Sequence, residues 1–129
     1  MNGDSASAAV LIVVANEPRM LREMLVCVLA TSPEMVVVEQ QGERLLRSAV
    51  LRQERVDWVI ITANQAGILP PQAKLLLERL PTLSLLTISL DGSQVTTWVR
   101  TDHQAVQHRV YHDLSLAQLK AILTYRWQI

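Results

Sequence analysis

Val10-Leu11-Ile12-Val13-Val14 is apolar without a break and rich in β-branched residues, and Asp57–Ile61 is nearly the same past its first residue. A strand with no polar face is buried on both sides. That is the signature of a parallel sheet covered by helices front and back. Amphipathic stretches lie where such helices belong. Met20, Leu21, Met24, Leu25 and Val28 fall at helical spacing, which assigns Arg19, Arg22 and Glu23 to the solvent side. Leu45, Leu46, Ala49 and Val50 mark a helix expected over Glu43–Gln53, with Arg44, Arg47 and Arg52 opposed. Ala73, Leu76, Leu77 and Leu80 mark another, opened by Pro70-Pro71 and closed by Pro81. Adding the short strand Met35–Glu39 and a fourth strand, Leu83–Leu90, the alternation implies an α/β fold. Its parallel core is expected in the order second, first, third, fourth. Pro18 suits the first turn of the first helix, and Asn16 is the expected N-cap.

The pattern changes after the fourth strand. Asp91-Gly92-Ser93 is a hairpin signal, and Gln94–Arg100 is β-branched and aromatic with no helical stripe. This segment is expected to fold back antiparallel to the fourth strand and form the edge of the sheet. Thr101–Asp113 reads either as a loop or as a further short strand. Ser115 is a good N-cap for a final helix carrying Leu116, Leu119, Ile122 and Leu123 and ending near Arg126.

A chain of 129 residues with 50% hydrophobic and 19% charged residues has the make-up of one globular domain. The domain is expected over residues 9–129, with 1–8 as a flexible polar tail. Formal net charge is zero, so there is no electrostatic footprint for nucleic acid. The single cysteine, Cys27, excludes an internal disulfide and is expected to be a small core residue. No apolar run approaches the roughly 20 residues of a membrane span. The N-terminus lacks a secretory pattern, so no leader is expected, and no helix-turn-helix domain is expected after the final helix. The expected location is the cytoplasm.

Few residues offer chemistry. The turn after the first strand has no glycine to let a phosphate approach the backbone, so no nucleotide, flavin or other cofactor is expected. There is no Gly-x-Ser-x-Gly elbow. His108 and His112 have i,i+4 spacing, but their surroundings do not read as a helix, so His103, His108 and His112 are expected at the surface rather than on a metal. Thr62 could accept a phosphate from a Ser/Thr kinase, although a strand-end threonine ordinarily packs.

The turn Val13-Val14-Ala15-Asn16-Glu17-Pro18 and the strand Val56-Asp57-Trp58-Val59-Ile60-Ile61-Thr62, in this order of elements, resemble the opening and third strand of a bacterial response-regulator receiver domain. The resemblance covers residues 9–90 and, more loosely, the final helix. It implies a flavodoxin-like open sheet. Receivers hold Mg²⁺ on two adjacent acidic residues after the first strand, and here the matching positions are Ala15 and Asn16, with Glu17 one place beyond. Receivers accept phosphate on an aspartate at the end of the third strand, and here that position is Thr62. Ser89 matches the family's switch residue, and His112 falls where its lysine would be. The resemblance therefore implies a degenerate phosphorylation pocket and no enzyme activity, because an acyl-phosphate needs a carboxylate and Mg²⁺ needs hard oxygen ligands.

The expected function is a non-phosphorylatable, receiver-like signalling module of the two-component kind, acting by protein docking. Its partner is itself, as a homodimer, or another signalling protein. The family's usual output face appears here as the new edge strand with Trp98 and the final helix with Leu119, Ile122, Tyr125 and Trp127. Either these residues form a contact surface or Trp98 and Trp127 cover the edge of the core. The alternative function is a small-ligand sensor or enzyme with a pocket at the strand ends around Ala15, Asn16, Thr62 and Ser89.

Overall fold

The computed structural model describes residues 9–47, 55–63, 68–100 and 105–125. The elements run β1 (Val10–Val14), α1 (Arg19–Leu29), β2 (Met35–Glu39), a 3₁₀ helix (Gly42–Arg47), β3 (Trp58–Thr62), α2 (Pro71–Arg79), β4 (Ser84–Ile88), β5 (Gln94–Arg100), β6 (Val106–His112) and α3 (Leu116–Tyr125). The strands form one mixed sheet in the order β2-β1-β3-β4-β5-β6. The first four are parallel, and β5 and β6 each pair antiparallel with the strand before. The α/β class and the parallel order follow the sequence pattern.

Both faces of the parallel strands are covered. On one face Ile12, Val14, Trp58 and Ile60 pack with Leu25 and Leu29 of α1 and with Leu119, Ile122 and Leu123 of α3. The Trp58 indole donates its Nε1–H to the Leu123 carbonyl at 2.9 Å, so this buried donor is satisfied. On the other face Val13, Val59, Ile61 and Leu85 pack with Leu45 of the 3₁₀ helix and Ala73, Leu76 and Leu77 of α2. Asp57 lies one residue ahead of β3 rather than in it. Its Oδ2 accepts the Leu11 N–H at 2.9 Å, and its own N–H donates to the Leu11 carbonyl, stapling β3 to β1.

The hairpin forms as expected. Leu85 stands opposite Trp98 and Ile88 opposite Val95. Gly92 takes φ +77°, the left-handed turn conformation in which a side chain is strained. Asp91 Oδ1 accepts from the Ser93 N–H, the Ser93 hydroxyl and the Ser89 hydroxyl, at 2.7–2.9 Å. α3 opens with a capping box. The Ser115 hydroxyl accepts the Gln118 N–H at 3.1 Å, and Gln118 Oε1 accepts the Ser115 N–H at 2.8 Å.

Several expectations are corrected. β5 is not the sheet edge: residues 106–112 form β6 and pair along its whole length, from Arg100 opposite Val106 to Gln94 opposite His112. The expected second helix is, over its described part, a 3₁₀ helix ending at Arg47; Ala49, Val50 and Arg52 lie outside the described residues. Pro18, not Asn16, occupies the N-cap of α1, and its carbonyl accepts the Leu21 and Arg22 N–H groups. The apolar stripe of α1 is rotated from the expected one. Arg22, Leu25 and Leu29 are buried, while Met20 is 81% exposed and Met24 53% exposed. Cys27 is exposed, on the same outward side, rather than in the core.

Candidate functional site

The carboxyl ends of β1 and β3 carry the residues that the resemblance singles out. Ala15 and Asn16 continue β1, and the Ala15 N–H donates to the Ile60 carbonyl at 2.9 Å, holding the β1–α1 turn against β3. Asn16 is wholly buried. Its Nδ2 donates to Thr62 Oγ1 at 3.0 Å. Its Oδ1 has no hydrogen-bond partner among the described residues. Turning the amide over exchanges its ends and leaves Nδ2 unpaired instead, so one buried polar atom stays unsatisfied either way. An orphan of this kind costs about 1–3 kcal/mol.

Glu17 turns away from this pair. Its Oε2 accepts from Arg22 Nη1 at 2.8 Å and from the Gly42 N–H at 3.3 Å. Arg22 is buried, and its Nε donates to Glu39 Oε2 at 2.9 Å. Its Nη1 also reaches the Asn16 carbonyl at 3.2 Å. The hydrogen bond to Glu39 raises the Arg22 pKa, burial works against it, and the charges of Glu17 and Glu39 add to the rise. Gly42 closes the arrangement: a Cβ there would sit 3.0 Å from the Ala15 carbonyl oxygen, so the 3₁₀ helix approaches the β1–α1 turn at a distance only glycine allows without a shift. Gln72 of α2 donates to the Gly42 carbonyl at 2.7 Å. The helical spacing assigns Arg22 to the solvent side, and the structure buries it. The available signals were Glu17 five residues ahead of Arg22 and a lone acidic residue, Glu39, at the end of an otherwise apolar strand.

The set does not fit Mg²⁺. Ala15 offers no side-chain oxygen, the Asn16 amide is sealed below the surface, and the Glu17 carboxylate is engaged by Arg22 and Gly42. No group of three or more His, Cys, Asp or Glu side chains is placed to hold a metal among the described residues. An open polar groove of about 490 Å³ borders the site, lined by Arg19, Arg22 and Arg44 together with Glu23 and Glu39. The mixed charges give it no strong preference for either sign of ligand.

The other two pocket residues are not in the site. The Ser89 hydroxyl is committed to the hairpin, donating to Asp91 and accepting the Gln94 N–H at 3.0 Å. His112 sits exposed at the end of β6, opposite Gln94 and two strands away from β4. The expected contact surface is also corrected. Trp98, Leu119 and Ile122 are buried within the chain, because β6 covers the edge beyond Trp98 and α3 turns its apolar side to the sheet. Tyr125 is exposed, and Trp127 lies outside the described residues. No helix among the described residues is long and apolar enough to cross a membrane. The chain matches no protein-family model, no curated protein and no solved structure.

Proposed function

We propose that the chain is a receiver-like, flavodoxin-type signalling module that has lost acyl-phosphate chemistry and acts by docking a second copy of itself or another protein. The observation that carries this reading is the buried Asn16–Thr62 hydrogen bond at the ends of β1 and β3. It stands where the resemblance calls for carboxylates. The strand order β2-β1-β3-β4 supports the scaffold part of the reading. So does the division of helices, with α1 and α3 on one face and the 3₁₀ helix and α2 on the other.

The test is intact mass after incubation with acetyl phosphate and Mg²⁺. The expected result is no phosphoryl adduct; a hydroxylamine-labile adduct at stoichiometric yield overturns the reading. Sedimentation at micromolar concentration tests the docking part. A second reading, a small-ligand sensor at the same strand ends, is favoured by the unpartnered Asn16 Oδ1 beside the polar groove. Because Asn16 is wholly buried, that reading requires the β1–α1 turn to open.

A further inference from the structure

Among the described residues, no helix covers the α2-side face of β6. Trp98 and Arg100 of β5 lie on the side of α2, and by register Val106, His108 and Val110 of β6 share that side. In the parallel half each crossover lays a helix over the sheet. The Asp91–Ser93 turn replaces a crossover with a hairpin, so nothing follows α2 on this face among the described residues. The result is a groove of about 580 Å³ between α2 and β6, with Leu69, Leu77 and Trp98 in its lining and Ile68 and Val106 at exposed positions. His108 stacks on Trp98 with ring centres 4.9 Å apart, and the Arg100 guanidinium holds the carbonyls of Leu77 and Pro81. The outer edge of β6 carries Arg109 and two histidines, the charged or polar side chains that discourage strand addition. By alternation the α2-side face of β6 carries Val106, His108, Val110 and His112, and Val106 and Val110 are both exposed on it.

We propose that this groove is a self-association surface whose occupant is a second copy of the chain, with α2 packed antiparallel against its counterpart across a two-fold axis. The inference rests on the docking reading and names the surface and partner. Lys74 and Glu78 both line the groove one helical turn apart and form no ion pair among the described residues. A two-fold axis at the level of Leu76, midway between them, brings Lys74 of each copy opposite Glu78 of the other, so one patch satisfies itself twice. The exposed Leu75 lies beside the same axis. With zero formal net charge, two copies meet no long-range repulsion.

Sedimentation equilibrium across the micromolar range, with fold checked by circular dichroism, tests this. The native chain is expected to dimerise. Lys74→Glu and Glu78→Lys are each expected to weaken the dimer about tenfold, and the double exchange to restore it. Val106→Asp, at an exposed position, is expected to leave the fold intact and abolish association. A native chain that is monomeric throughout overturns the proposal. Association indifferent to all four variants overturns this surface and leaves the docking reading to another one. A monomer that instead binds a different protein, and loses it on Val106→Asp, assigns the groove to that protein and overturns the second copy as occupant.

Discussion

The two halves of the sheet solve the same burial problem differently. In β2-β1-β3-β4 the strands are joined by crossovers, and each crossover deposits helix on a face, so Ile12, Val13, Trp58 and Val59 are wholly buried. β5 and β6 each pair antiparallel with the strand before, no further helix reaches the α2 side among the described residues, and all of β6 except Tyr111 is exposed. Tyr111, with Leu114, packs on the other face against the core shared with α3. Edge position, rather than the presence of apolar residues, decides how deeply β5 and β6 are buried. β5 and β6 both contain valines and an aromatic residue, but only β5 has neighbours on both edges.

The largest expected effect tests that contrast directly. Trp58→Ala removes a wholly buried indole and strands the Leu123 carbonyl, and should cost about 3–5 kcal/mol in urea unfolding. Val106→Ser on the bare face should change stability by less than about 0.5 kcal/mol in dilute protein. Comparable losses at the two sites would mean that β6 is as deeply packed as β3, and the contrast would fail.

A smaller effect is expected at the seam between α1 and the ends of β1 and β2. Arg22→Met keeps most of the buried volume but removes the group that joins Glu17, Glu39 and the Asn16 carbonyl. The two carboxylates stay partly in water, at 60% and 41% side-chain exposure, so no charge is left sealed in. The loss should therefore be about 1–3 kcal/mol, below the cost of a stranded buried charge. A double-mutant cycle with Glu39→Gln should show coupling of about 1 kcal/mol. Simple additivity would mean that the pair is decorative.

The smallest effect belongs to the hairpin turn. The Ser93 N–H, followed by the Ser89 and Ser93 hydroxyls, lowers the Asp91 pKa from 3.8 to about 2. A carboxylate depressed on folding adds stability that is complete above its unfolded value and is lost as pH falls through the folded value. Protection of the Ser93 amide against hydrogen exchange should therefore decline from pH 3.8 towards about 2. Asp91→Asn should flatten that decline. An unchanged pH profile in the variant would place the acid sensitivity elsewhere.

Much of this molecule was legible from local pattern. Unbroken apolar runs set the parallel core, Asp91-Gly92-Ser93 set the hairpin, and Ser115 set the start of α3. Each depends on residues within a few positions of one another, which is the range over which periodicity, turn chemistry and capping act. The tertiary structure decided the rest. Arg22 could be buried, and the methionines of α1 turned outward, only because Glu17 and Glu39 converge on it from two other segments. β5 lost its free edge only because residues 106–112 returned to pair with it. Asn16 became a sealed partner of Thr62 across 46 positions of chain rather than a helix cap. Charge pairing, edge coverage and burial of a polar atom are set by which distant segments meet, and that is decided only when the sheet assembles.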